Sequence, residues 1–251
     1  MWTRNQFLRA SLSLNNSGVS LLERGAYHEA MCTLQDALQV IKKAALTPET
    51  SAMPKSLQFE ALTMMDKAHK SLAFLSRSSS VSRQSSATFD GTSLTKPLSI
   101  SEGNGYDAPL PIRLEDWAFE LPEEYDPQLE CGVILFNIGL SYVYASRARD
   151  APKEASNIRQ RAINILQMAQ MILEKASLTM TSKVEEEENL VWDDRIDIEK
   201  MVARVLSEVH AETGNFEDAA LWHRRAEMLS TEGNQMSAAF LGSIFCASPA
   251  A

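Results

Sequence analysis

The residues of this 251-residue chain with most chemistry to offer are its four histidines, its three cysteines and the serines that trail two arginines. A zinc site needs ligands clustered at short spacing. No Cys-x-x-Cys or His-Glu-x-x-His run is present, so neither a metal nor another cofactor is expected. His210, with Glu208 and Glu212 on its own helix, is the best arrangement for acid–base work, and His223 approaches it if the two flanking helices pair. On a helix face such mixed charge is more often solvation. An enzyme whose site is assembled from these dispersed His and Glu residues is the alternative reading. No Gly-rich phosphate loop, nucleophile elbow or kinase signature occurs, and Cys32 and Cys131 fall on apolar faces suited to inert thiols. In Arg77-Ser78-Ser79-Ser80 and Arg83-Gln84-Ser85-Ser86, a serine follows an arginine by three. Basophilic kinases read that spacing through an acidic pocket. Ser80 and Ser86 are therefore candidate phosphorylation sites, the alternative being an unmodified flexible linker; each phosphate would add about −1.5 to −2 charges.

Composition narrows the class further. Apolar residues make up 45% and charged residues 23%, which is ordinary globular usage. The longest apolar run, Ala238 to Cys246, is far short of a membrane span, so no membrane partner is expected. The net charge of −9 is concentrated in the second half. Residues 111–251 carry 13 basic against 24 acidic side chains, which disfavours nucleic-acid backbones. Three scattered cysteines suit a reducing compartment, and a cytoplasmic location is expected. Residues 1–22 hold Arg4 and Arg9 and no acid, so organelle import is a minor alternative.

The elements that position these residues are helical. Apolar residues recur at helical spacing over 11–46, which reads as two helices joined by the turn Glu23-Arg24-Gly25-Ala26, with Gly25 suited to the left-handed position. A third amphipathic stretch (Leu57, Phe59, Leu62, Met65, Ala68, Leu72, Phe74) closes a first region, 11–75, after a tail at 1–10. Ten of the 35 residues in 76–110 are serine, which predicts a disordered linker. Residues 111–127 hold three prolines, with Trp117, Phe119 and Leu121 at period two, an extended segment able to lie over a groove. Helical pattern resumes over 128–231, with Gly214-Asn215 as the last turn, and 232–251 is expected to form a capping helix or tail.

Three of these helix pairs share small residues where helices approach. Gly18 is followed by Gly25, Tyr27, Ala30, Leu34 and Ala37; Gly139 by Ala162, Leu166 and Ala169; Ser207 by Gly214, Phe216, Ala219 and Ala226. The pattern resembles the tetratricopeptide repeat, a helix-turn-helix unit of about 34 residues. The resemblance covers about half the chain and is best over Asn15–Ala37. It departs in the second pair, where the small residue and the alanine are 23 apart rather than 12. It implies an all-α, right-handed solenoid interrupted by an extra helix and the linker. It also implies a concave groove lined by Asn15, Val19 and Leu22, by Val133, Phe136, Asn137, Leu140 and Tyr144, and by Arg204, Glu208 and Glu212. The expected function is a non-enzymatic scaffold binding a protein or peptide partner there. Some members of the family clamp a C-terminal carboxylate. Asn15 and Asn137 match that clamp, but Met201 and Val205 stand where basic residues belong, so carboxylate-dependent capture is not expected. The groove can instead be filled by the chain itself, with Trp117 and Phe119 as the plug, giving a structural module.

Overall fold

The computed structural model describes residues 2–46, 54–78, 109–114, 127–181 and 189–246, with side chains at 78, 177–181, 189–196 and 232–246 left aside. Seven helices run through it: α1 (Arg4–Glu23), α2 (Tyr27–Leu46), α3 (Lys55–Ser78), α4 (Gln128–Arg147), α5 (Pro152–Thr181), α6 (Asn189–Glu212) and α7 (Phe216–Cys246). Among the described residues there is no strand, so the protein is all-α. The helices divide into two compact units, Met1–Ala169 and Gln170–Ala251.

In the first unit, α1 starts earlier than the apolar pattern predicts, and residues 4–10, expected in a tail, belong to the helix. Thr3 and Gln6 form a capping box: the Gln6 amide donates to Thr3 Oγ1, and the Thr3 amide donates to Gln6 Oε1 at 2.8 Å. Phe7, Leu8 and Ala10 are buried, and the Trp2 ring meets Phe7 edge-on. At the other end of α1, Gly25 has φ 76°, and the Ala26 and Gly25 amides donate back to Leu21 and Leu22. These two bonds satisfy terminal carbonyls, and only a residue at ease with positive φ makes both. The helix then reverses into α2. Gly18 lets the pair close, because a Cβ built there would stand 2.6 Å from Leu34 Cγ.

The second glycine repeats the device. A Cβ on Gly139 would stand 2.7 Å from Leu166 Cδ2, so α4 and α5 meet there as α1 and α2 do. The long spacing in this pair is helical. Relative to the first pair, α4 runs three residues further past its glycine, α5 starts seven residues further ahead of its alanine, and the connection is one residue longer. Residues 132–141 of α4 are all buried, with α1, α2 and α5 around them. Enclosure accounts for a helix whose mean hydropathy of 1.3 would, by length and composition, suit a membrane span.

Helix α3 lies on α1 and α2 through a narrow stripe. Ala61 and Ala68 are buried, whereas Phe59, Leu62 and Phe74 face solvent, contrary to the amphipathic face expected from spacing. Polar contacts fix it at both ends: Lys43 Nζ meets Glu60 at 2.6 Å, and Arg24 donates to the Leu72 carbonyl and to Ser76 Oγ. Between these helices burial raises the Asp36 carboxyl above the usual range, an effect that Lys67 opposes and Glu60 reinforces. A carboxyl whose folded pKa is raised contributes stability below its ordinary range and loses it as pH climbs through the raised value. Asp36→Asn, which keeps the shape and removes the charge, is therefore expected to raise the melting temperature at pH 7. The gain should shrink steadily as pH is lowered toward 4, as circular-dichroism melts at several pH values will show.

In the second unit, α6 and α7 pair across Gly214 (φ 78°), with the Asn215 and Gly214 amides donating to His210 and Ala211. Here a serine replaces the glycine of the other pairs, and Ser207 Oγ donates to the Ala219 carbonyl at 2.9 Å. Arg225 reaches Glu174 at 2.9 Å. Helix α7 continues unbroken to Cys246, so 232–246 is not a separate capping helix. The linker expected over 76–110 begins and ends inside structure: residues 76–78 finish α3, and Pro109 and Leu110 are described outside any helix. The remainder, with Ser80 and Ser86, lies outside the described residues.

Candidate peptide-backbone site

Helix periodicity turns Asn15 inward beside Ser11, Leu12 and Val19, and turns Asn137 inward along α4. Both side chains are completely buried, which for an amide is costly unless every donor and acceptor is satisfied. They are satisfied by each other and by an extended stretch of the chain, Pro109–Leu114. Asn137 Oδ1 accepts from the Ile112 amide at 2.8 Å, and its Nδ2 donates to the Ile112 carbonyl at 2.7 Å and to Asn15 Oδ1 at 3.0 Å. Asn15 Nδ2 donates to the same Ile112 carbonyl and to Asn16 Oδ1, each at 3.2 Å. Asn16 repeats the two-way grip two residues on: its Oδ1 accepts from the Leu114 amide at 2.8 Å and its Nδ2 donates to the Leu114 carbonyl. The amide orientations follow from the network, since flipping Asn137 would set nitrogen against nitrogen at Ile112.

The period of this readout is two, as an extended backbone requires. Ile112 and Leu114 are held by main chain, while the side chain between them, Arg113, turns to α1. Its guanidinium donates to Glu23 Oε2 at 2.6 Å, Ser20 Oγ at 3.1 Å and the Asn16 carbonyl at 3.3 Å. Upstream, Tyr144 Oη donates to the Pro109 carbonyl. The Tyr144 ring stacks on Tyr27 at 6.1 Å, so the turn after α1 also sets this hydroxyl. Prolines at 109 and 111 occupy positions whose nitrogens the site does not use, and they pre-set an extended backbone.

The energetics are nearly balanced. Six hydrogen bonds to the segment's backbone contribute about 1 kcal/mol each. Burial of Leu114, 8% exposed, adds about 2 kcal/mol. Ordering six residues, two of them proline, costs about 6–9 kcal/mol. The half-exposed Arg113–Glu23 pair adds at most about 1 kcal/mol. Arg113→Ala should accordingly lower global stability by under about 1 kcal/mol. It should still increase amide exchange at Leu114 several-fold, measurable by hydrogen-exchange NMR.

Of the residues expected along a groove, Asn15, Asn137 and Tyr144 meet in this site. Val19, Leu22, Val133, Phe136 and Leu140 are enclosed at 4% exposure or less and offer no free surface. Arg204, Glu208 and Glu212 lie on α6 in the second unit and make none of these bonds. Trp117 and Phe119 lie outside the described residues; the segment seen in the site is Pro109–Leu114. Sequence reasoning missed Asn16, Ser20 and Glu23, although Asn16 and Ser20 recur with Glu23 at helical spacing along one side of α1.

The histidines do not converge. His210 is buried, with Nδ1 3.7 Å from Asp218 and no hydrogen bond to either ring nitrogen. Exposed His223 instead meets Glu227 at 3.4 Å. His28 and Cys32, four apart on α2, come within 4.0 Å, a pairing that their spacing could have flagged. Among the described residues no three His, Cys, Asp or Glu side chains gather as metal ligands. No protein-family model matches the chain, and neither a search of curated proteins nor one of solved structures finds a match.

Proposed function

We propose that this chain is a non-enzymatic helical-repeat scaffold or adaptor that binds an extended peptide between α1 and α4. In this reading the helix pairs are tetratricopeptide-like units of a right-handed solenoid, acting in the reducing cytoplasm, where Cys32 and Cys131 stay reduced. One observation carries it: Asn137 and Asn16 each grip both the N–H and the C=O of alternate residues, Ile112 and Leu114. Such a grip is indifferent to side chains and suits any extended backbone in register. A purely structural role, with the chain's own segment as permanent filling, is the second reading, favoured by the occupancy of the site by Pro109–Leu114.

Full-length protein carrying Ile112→Pro and Leu114→Pro separates the two. The prolines remove the N–H groups that Asn137 and Asn16 receive and leave the helices untouched. A capped Pro-Leu-Pro-Ile-Arg-Leu peptide is expected to bind this variant, by fluorescence anisotropy, and to lose binding when Asn16→Ala is added. Absence of binding to a folded variant leaves the structural module.

A further inference from the structure

The backbone grip explains why a peptide is held but not which peptide. We propose that the site selects, from partner proteins, extended segments with an arginine between two aliphatic residues, and that Pro109–Leu114 is the resident competitor for them. This rests on the peptide-binding reading above and adds its specificity.

The argument starts from the position between the two gripped residues. An extended backbone held at Ile112 and Leu114 must point residue 113 the other way, toward α1. Three acceptors converge there: Glu23 Oε2, Ser20 Oγ and the Asn16 carbonyl. Nη1 serves the carbonyl and the hydroxyl while Nη2 serves the carboxylate, a division that suits the fork of a guanidinium better than the compact ammonium of lysine. A carboxylate at that position would face Glu23 and the Asn16 carbonyl, with only the Ser20 hydroxyl, already given to that carbonyl, to donate. A cleft of about 290 Å³, lined by Ser13, Asn16, Ser17, Ser20, Leu72 and Arg113, opens beside the guanidinium. An incoming side chain can therefore reach the acceptors from solvent. Of the two gripped residues, Leu114 is buried at 8% exposure and Ile112 is half-buried, so aliphatic side chains suit both positions. The gripped positions need an N–H and so exclude proline, while positions 109 and 111 accept it.

The resident segment satisfies each of these requirements, and its docking is close to balanced. A segment of another protein with the same pattern can exchange with it once its concentration exceeds the effective concentration of the tethered copy. The partner is thus identified by chemistry: an extended, proline-punctuated, aliphatic–arginine–aliphatic stretch.

The experiment uses the full-length Ile112→Pro, Leu114→Pro chain and three capped hexapeptides: Pro-Leu-Pro-Ile-Arg-Leu and its Lys and Glu counterparts at the fifth position. The Arg peptide should bind tightest, the Lys peptide several-fold weaker and the Glu peptide at least about tenfold weaker. Adding Glu23→Arg to the chain should reverse the order of the Arg and Glu peptides. The native chain should bind the Arg peptide at least about twofold less well than the emptied variant, because its own segment, docked with near-balanced energetics, competes. Equal affinity for all three peptides overturns the specificity and leaves the peptide-binding reading standing. No binding of any peptide overturns the peptide-binding reading itself. Equal binding by native and emptied chains overturns the competitor role. A native dimer that the Arg peptide dissociates in sedimentation would make the occupant a second copy of this chain and so overturn the partner proposal. Should the proline pair prevent folding, Arg113→Glu with Leu114→Asp empties the site by charge, and the same peptide series applies.

Discussion

Asn137→Asp is expected to detach Pro109–Leu114 from α1 and α4 and to cost more stability than Asn137→Ala. The native amide donates twice, to Ile112 and Asn15, and accepts once, from the Ile112 N–H. An ionised carboxylate retains only the acceptance. Its other oxygen then faces the Ile112 carbonyl and Asn15 Oδ1, lone pair against lone pair, at a position with no solvent exposure. A buried charge left without compensation costs about 3–5 kcal/mol. Alanine instead leaves the Ile112 N–H, its carbonyl and Asn15 under-satisfied, at about 1–3 kcal/mol in all if water enters. Urea titrations should therefore rank native above the alanine variant and alanine above the aspartate. Exchange of the Ile112 and Leu114 amides should approach unprotected rates in the aspartate variant. Acidification to below pH 4 should narrow the gap between the two, because protonation removes the charge and restores one donor. An aspartate variant as stable as the alanine one would mean that the amide's donors do not hold the segment.

That experiment probes the part of the molecule that was least legible in the sequence. The turns were readable, because Gly25 and Gly214 sit between apolar-periodic runs and both adopt positive φ. The close approaches were also readable: Gly18 and Gly139 occupy positions where a side chain would strike Leu34 and Leu166. Both are consequences of local backbone geometry and of spacing within one helix pair. The start of α1 is equally local, since Thr3 and Gln6 spell a capping box, although the regular apolar run begins only near Ser11.

The site was legible only halfway. Asn15, Asn137 and Tyr144 stand out as polar residues on inward helix faces, and a repeat-like groove explains their type. What they hold does not follow from periodicity, because Asn15 and Asn137 are 122 residues apart and each meets a segment with no helical signal of its own. Trp117 and Phe119, the plug expected on hydrophobic grounds, lie outside the described residues; the grip that is described falls on backbone amides, which every residue but proline carries. Leu140 and Phe136 are where the pattern misleads. On a one-dimensional pattern they are candidates for a binding surface, yet α4 is covered on nearly every side, so its apolar residues are core. An amphipathic stripe indicates that a face is covered, but not by what.

The correspondence between the two glycines yields the second large effect. Gly139→Val should destabilise the first unit by about 1–3 kcal/mol through overpacking, despite replacing a residue that by itself weakens a helix. The added carbons have nowhere to go: the first atom alone would stand 2.7 Å from both Cγ and Cδ2 of Leu166, and that leucine is fully buried, so it cannot swing outward. Leu166→Ala alone should cost about 2–5 kcal/mol as a cavity. Combined, the two should cost less than their sum, because the valine methyls enter the space that the leucine vacates; the coupling expected for residues in direct contact is about 0.5–3 kcal/mol. Urea titration of the four proteins completes the cycle. Gly18→Val with Leu34→Ala should reproduce it, since the approach there is equally close at 2.6 Å. Additivity within error in both cycles would mean that these glycines do not seat the leucines, and that the likeness between the two helix pairs stops at their turns. Coupling of similar size in both would show one packing device used twice: a glycine on the first helix admitting a leucine from the second, unchanged although the second pair's helices run longer.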